Sequence, residues 1–184
     1  MRYINLIIFF FISNFFIDQA NSSEKIVRLL KEGNKIIFIR HALAPGSGDP
    51  ENIDLNDCNT QRNLNKEGIN QSKKIGDFFK SNDILVSNVL SSEWCRCKDT
   101  ALNAFSKYET FNALNSFYDH KFYKYKNKQV KELKKFIQNW KNNENIILVT
   151  HYVVIMELLK ISSNSGEMII TDKNLDVLSR ININ

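Results

Sequence analysis

The chain has 184 residues, 43% of them hydrophobic, which is enough for one domain with a sizeable core. Its net charge of +5 comes largely from lysines spread over helical stretches such as KKIGDFFK (73–80) and KELKKF (131–136), a solvated surface. The clustered aromatics and arginines of a nucleic-acid face are missing, so no nucleic-acid partner is expected.

The N-terminus reads as a signal peptide over residues 1–20. Arg2 provides a positive start, an apolar run follows from Ile4 to Ile17, and polarity returns at Asp18. The run is short for a membrane span and is interrupted by Asn5 and Asn14. Ala20 suits the last position before cleavage, whereas Asp18 is a poor residue two places earlier. The alternative is an uncleaved segment that tethers the protein to a membrane. No Cys follows the run, so a lipoprotein anchor has no support. The remaining domain, 24–184, is expected to be periplasmic or secreted. In such an oxidising compartment Cys58 can bond to Cys95 or to Cys97, and spacing does not assign the pair. A zinc site is the alternative, but C-x-C with one distant Cys is weak metal spacing.

Residues 24–31 have helical spacing and stop at Gly33-Asn34. Lys35–Ile39 is an unbroken apolar run, the pattern of a strand buried on both faces. A long loop rich in Gly, Pro, Asp and Asn occupies 42–63, and loops of that length are usually functional. A helix is predicted over 66–82, a second buried strand over 85–90, and a helix from Ser92 to about Lys107. A short strand is predicted at 110–113. Residues 114–128 are aromatic and basic without a clear period. A helix over 130–141, a strand over 145–149 and a helix over 153–159 follow. A terminal hairpin of 168–171 and 176–181 is predicted to turn at Asp172-Lys173-Asn174. There is no internal repeat and no interdomain linker. Alternation of strands and helices implies an α/β fold, a three-layer sandwich with a mostly parallel central sheet.

In such sheets ligands bind outside the carboxyl ends of the strands. Here those ends carry Arg40-His41, Ser91-Ser92 with Arg96 a turn further on, and Thr150-His151, so two of the three histidines fall at one edge. A single histidine in that position could be structural, but three polar strand ends converging are hard to explain as packing. Buried cations facing one another call for an anion. Phosphate matches the planar fork of arginine, and the start of the Ser92–Lys107 helix is expected to add backbone N–H donors. His41 could hydrogen-bond the phosphate or attack phosphorus. Attack needs a neutral imidazole whose other nitrogen is held, which a carbonyl of the following loop could do.

These residues resemble the histidine phosphatase (phosphoglycerate mutase-like) superfamily. Arg40-His41-Ala42 resembles its Arg-His-Gly signature. Leu64-Asn65-Lys66-Glu67-Gly68 with Gln71-Ser72 resembles a helix start of that family. The stretch from Ser91 to Ala101 resembles its Ser-x-x-x-x-Arg-Ala-x-x-Thr-Ala element, and Val149-Thr150-His151 its second-histidine strand end. The resemblance covers residues 35 to about 170. It implies a small exported phosphomonoester hydrolase that needs no metal or other cofactor and acts on a small phosphorylated substrate. His41 would become a phosphohistidine, with Arg40, Arg96 and His151 holding the transferring oxygens. Alternatives are a phosphohistidine phosphatase and a non-catalytic phosphate- or sugar-phosphate-binding domain of the same fold.

Three positions depart from the family pattern. Ala42 replaces Gly, Cys97 replaces a small Ala, and Tyr152 follows His151 where Gly or Asp is common. The proton donor therefore does not come from a His-Asp pair. One branch of the family places a carboxylate in the segment before the last core helix, which makes Asp119 the expected general acid, with Asp49, Asp54 and Asp57 as rivals. Ser91 and Arg62 are assigned to substrate binding, with a surface arginine as the alternative for Arg62. His120 is read as a loop residue. In small exported members an Asp-Cys element occurs together with Trp-Cys-Arg-Cys, which implies a bond from Cys58 that ties the loop to the Arg96 helix.

Overall fold

The computed structural model describes residues 23–183. The segment read as a signal peptide, 1–20, lies outside them. Helix α1 (23–31) turns at Gly33 and Asn34, both with positive φ, into strand β1 (Ile36–Arg40). A Cβ on Gly33 would sit 2.1 Å from the Asn143 carbonyl oxygen, so both the turn and the close approach require glycine there. The long loop follows, broken by a 3₁₀ turn at Cys58–Thr60. Helix α2 (Lys66–Ser81) is capped by the Asn65 side chain, which accepts from the Gly68 amide. Strand β2 (Val86–Ser91), helix α3 (Cys95–Phe105) and the two-residue strand β3 (Glu109–Thr110) come next. The strand predicted at 110–113 is thus confined to 109–110, and a 3₁₀ turn (Asn112–Leu114) follows it; residues 114–128, which show no period, hold a single turn α4 (His120–Tyr123) and the start of α5 (Lys126–Asn139). The chain closes with β4 (Asn145–Thr150), α6 (Tyr152–Leu159) and the hairpin β5 (Met168–Thr171) and β6 (Val177–Ile181).

The sheet order is β3-β2-β4-β1-β5-β6. The first four strands are parallel, β5 is antiparallel to β1, and β6 is antiparallel to β5. This is the expected α/β sandwich with a mostly parallel sheet. Residues 36–39 and 145–149 are fully buried because each face of the sheet is covered. Ile37, Ile39, Ile147 and Val149 pack with Leu30, Ile75 and Phe79 on one face. Ile36, Phe38, Ile146 and Leu148 pack with Leu133, Ile137 and Ile155 on the other. Among the described residues no helix is long and apolar enough to cross a membrane.

A single buried side chain ties the entry side of the sheet together. The Asn145 amide donates to the carbonyls of Leu30 (2.7 Å) and Leu85 (3.0 Å), and its oxygen accepts from the Lys35 amide (3.2 Å). It thereby joins the end of α1, the approach to β1 and the approach to β2. Asn145→Leu leaves one N–H and two carbonyls without this partner, the Leu30 carbonyl in a buried place. It is expected to lower the unfolding free energy by about 2–4 kcal/mol, read from a shifted denaturant midpoint at unchanged m-value. An unshifted midpoint would refute this role.

Candidate functional site

The strand register levels the three polar ends. Arg40 is paired with Thr150, and Ser91 with Val149. The next amides continue the ladder: His41 N–H donates to the Thr150 carbonyl at 2.9 Å and Ser92 N–H to the Val149 carbonyl at 3.0 Å. His41, His151 and Ser92 therefore emerge at one height, and the two imidazole centroids lie 5.5 Å apart. Together with Arg40, Arg62, Arg96, Asp49 and Asp119 the histidines line a cavity of about 200 Å³ whose wall includes Trp94 and Tyr152.

His41 is 3% exposed. Its Nδ1 lies 2.8 Å from the Ala42 carbonyl oxygen. That acceptor requires the proton on Nδ1, so Nε2 presents a lone pair. Burial, then the charge of Arg96, holds His41 well below its ordinary value near 6.5, and the Ala42 carbonyl opposes this only in part. His151, also 3% exposed, is held low for the same reasons, burial first and Arg96 second. Its Nε2 is 2.8 Å from Ser92 Oγ, and its Nδ1 accepts from Arg96 at 3.4 Å. Ser92 Oγ in turn donates to Asn115 Oδ1 at 3.1 Å. The chain of bonds fits one tautomer, with the proton on Nε2.

The cations are held by oxygen acceptors. Arg40 donates to the Ser163 carbonyl at 2.6 Å, and its guanidinium lies over the Tyr152 ring, 5.5 Å from the centroid. Arg62 donates to the carbonyls of Gly48 and Ala44, and so staples the loop to itself. Arg96 forms a fork with Asp49, at 2.7 Å to Oδ1 and 3.1 Å to Oδ2. Asp49 also accepts from Trp94 Nε1 at 3.1 Å and from the Arg62 amide at 3.1 Å. Burial pushes the Asp49 carboxyl up, but the Arg96 bond and charge outweigh it and hold the group ionised. Three guanidinium groups face one fully engaged carboxylate, and Nε of both Arg40 and Arg96 is buried without a partner. Such a lining is electrostatically suited to an anion that brings acceptor oxygens.

A disulfide joins Cys58 to Cys95, which removes the zinc reading for the three cysteines. It pins the loop carrying Asp49 and Arg62 to the residue next to Arg96. Cys97 is a buried free thiol, with Sγ 3.5 Å from His151 Nε2. Burial pushes it up to about 12.

Of the residues singled out in the sequence, His41, Arg40, Arg96, His151, Arg62 and Asp119 line the cavity. Asp119 Oδ1 caps α4 by accepting from the Lys121 amide at 2.9 Å, which leaves Oδ2 without a protein partner. Ser91 does not line it: its side chain is fully buried and donates to the Ser92 carbonyl. Strand alternation turns Ser91 inward and leaves Ser92 at the strand end to reach His151. Asp54 and Asp57 cap the local turns of the loop instead. His120 begins α4.

Of the amide donors expected around this helix start, three are taken by side chains. Helix α3 begins at Cys95, and the amides of Glu93, Trp94 and Cys95 go to Asn115 Oδ1, Ser92 Oγ and Gln61 Oε1. Side chains satisfy these N–H groups before an anion could. Asp49 as the partner of Arg96, and Ser92 as the partner of His151, are contacts across 47 and 59 residues. No local pattern marks either, although a polar pair at a buried strand end is a reason to ask which of the two points outward.

The sequence matches no family model and no curated protein. The fold does match solved structures. The protein histidine phosphatase SixA complexed with tungstate superposes with a TM-score of 0.59 at 15% identity, over 80% of this chain and 96% of that one. A putative phosphohistidine phosphatase SixA from Agrobacterium tumefaciens gives 0.56 at 16% identity, over 81% and 98%. A phosphoglycerate mutase from Thermus thermophilus gives 0.57 at 14% identity, over 80% and 98%. The chain has the histidine phosphatase fold.

Proposed function

We propose that the protein is a phosphomonoester hydrolase that works through a phosphohistidine on His41. The observation that carries this reading is the state of that imidazole. It is neutral, its Nδ1–H is committed to the Ala42 carbonyl, and Nε2 opens among three guanidinium groups. The tungstate in the SixA structure is a tetrahedral oxyanion bound by the same fold, which supports an anion of that shape here.

In the proposed reaction Nε2 of His41 attacks phosphorus in line. The N–P bond forms as the P–O ester bond breaks, and the leaving oxygen takes a proton from Asp119. Arg40, Arg62 and Arg96 stabilise the charge on the transferring oxygens, and His151 joins them once it takes up a proton, the electrostatic work that a metal does elsewhere. Water then attacks phosphorus, gives its proton to the Asp119 carboxylate and releases phosphate, and Nε2 recovers its lone pair. Asp119 is preferred to Asp49 because both oxygens of Asp49 are engaged, whereas Oδ2 of Asp119 is not. The N-terminal segment of the chain supports a site of action outside the cytoplasm. The SixA neighbours motivate a second substrate reading, a phosphohistidine on another protein. A binding domain without turnover is the third.

Wild-type protein with a 32P-labelled phosphomonoester, quenched in base to preserve an N–P bond, is expected to carry label on His41. Turnover should be insensitive to chelator. His41→Ala should carry none and hydrolyse 4-nitrophenyl phosphate at least about 10³-fold more slowly. Wild type that binds phosphate but never labels would support the binding domain instead.

Anion binding is also expected to take up a proton. His151 is held neutral by burial and by nearby positive charge, and an anion among the arginines offsets the second of these. The complex then binds more protons than the separate partners between the depressed free value and the raised bound one. Affinity for sulfate, a dianion throughout, should therefore rise as pH falls through that window, by at most about tenfold per unit for one proton. Titration calorimetry in buffers of differing ionisation enthalpy reads the uptake. Sulfate binding without proton uptake at every pH at which the protein stays folded would exclude it.

A further inference from the structure

Beside the anion site lies a second cavity, of about 260 Å³, between the 112–116 segment and the start of α5. The two cavities share Ser116 and Phe122 in their walls. Phe122 is held in place by Trp94, with ring centroids 5.0 Å apart. The second cavity differs in charge and chemistry. No arginine lines it. Its wall carries the carboxylates Glu93 and Glu132, the amide of Gln129, and the rings of Phe122 and Tyr125, with Lys128 as its single cation.

Gln129 is 92% buried there, being 8% exposed. Its Nε2 donates to the Asn112 carbonyl at 2.7 Å, which fixes the orientation of the amide. Oε1 is then left buried with no partner. An unpaired buried acceptor is destabilising, and a donor from a bound molecule would relieve that. The carboxylates add further acceptor oxygens. Acceptors on the walls and an aromatic face suit a group rich in O–H donors with an apolar C–H face. They disfavour a second phosphate.

The cavity is also wired to the first. Glu93 Oε2 accepts from Asn115 Nδ2 at 2.5 Å, Asn115 Oδ1 accepts from Ser92 Oγ, and Ser92 holds His151 Nε2. Whatever binds against Glu93 therefore acts on the side chain that fixes the tautomer of His151.

We propose that this cavity is a subsite for a neutral, polyhydroxylated group, the part of the phosphomonoester that remains on the leaving oxygen. This rests on the hydrolase reading of the neighbouring site. It assigns Gln129 and Glu93 to specificity, and Asn115 and Ser92 to positioning His151.

Two measurements test it. The first is the ratio of kcat/KM for glucose 6-phosphate to that for 4-nitrophenyl phosphate, which lacks hydroxyl groups to donate. Gln129→Leu is expected to lower this ratio about tenfold. A ratio within twofold of wild type overturns the subsite, even if both substrates lose activity together. The second needs neither turnover nor the Gln129 variant to fold. In the His41→Ala protein, glucose 6-phosphate is expected to shift the side-chain amide resonances of Gln129 and Asn115, whereas inorganic phosphate leaves that of Gln129 in place. No Gln129 shift at about 20 mM glucose 6-phosphate, a concentration that saturates even a weak millimolar site, overturns the subsite. Shifts at Gln129 in a protein that hydrolyses neither ester would keep the subsite and sink the hydrolase.

Discussion

The fork between Arg96 and Asp49 is the contact on which the pocket depends. Both partners are nearly buried, with side-chain exposures of 4% and 10%. Such a pair is costly to desolvate, and it is tolerable here because every oxygen of the carboxylate has a donor. Asp49 also gathers Trp94 and the Arg62 amide. One carboxylate thus sets the plane of a guanidinium, the place of an indole and the return of a long loop. The Cys58–Cys95 bond closes the same arrangement covalently, one residue from Arg96. The long loop is therefore the near wall of the site rather than a mere connection. Without Asp49 the three arginines would face one another across a cavity whose other carboxylate, Asp119, pairs with none of them.

The scaffold is legible in the sequence because its physics is local. Runs such as Ile36–Ile39 and Ile146–Val149 have to be covered on both faces, and parallel pairing then brings their polar ends to one edge. Arg40-His41 and Thr150-His151 can be placed together on that ground alone. Residues 114–128 are illegible for the opposite reason. Part of what holds them comes from distant partners: the Asn112 carbonyl accepts from Gln129 and the Leu114 carbonyl from Thr150 Oγ1, while the Asp119 cap of α4 and the Ser116 Oγ bond to the Tyr118 amide are local. The start of α3 falls at Cys95 rather than at the expected Ser92. Ser92 and Glu93 are drawn toward His151 and Asn115 instead of into the helix.

The division of charge between the two cavities shows how one short segment serves two purposes. Residues 115–122 present Tyr118 and Asp119 to the cationic side, Asn115 to the acceptor-rich side, and Ser116 and Phe122 to both. The backbone there is stiffened by caps and by packing of Phe117 into the core, so neither wall shifts without the other.

Cys97 carries a consequence of its own. With Cys58 and Cys95 joined, it is the one thiol among the described residues, and it lies at 0% exposure behind His151 with its ionisation suppressed. A thiol reagent meets nothing reactive on the closed domain. Alkylation at that position requires the back of the pocket to open, so its rate clocks the opening of the sheet edge on which the histidines stand. The molecule contains its own reporter of the rigidity that its chemistry demands.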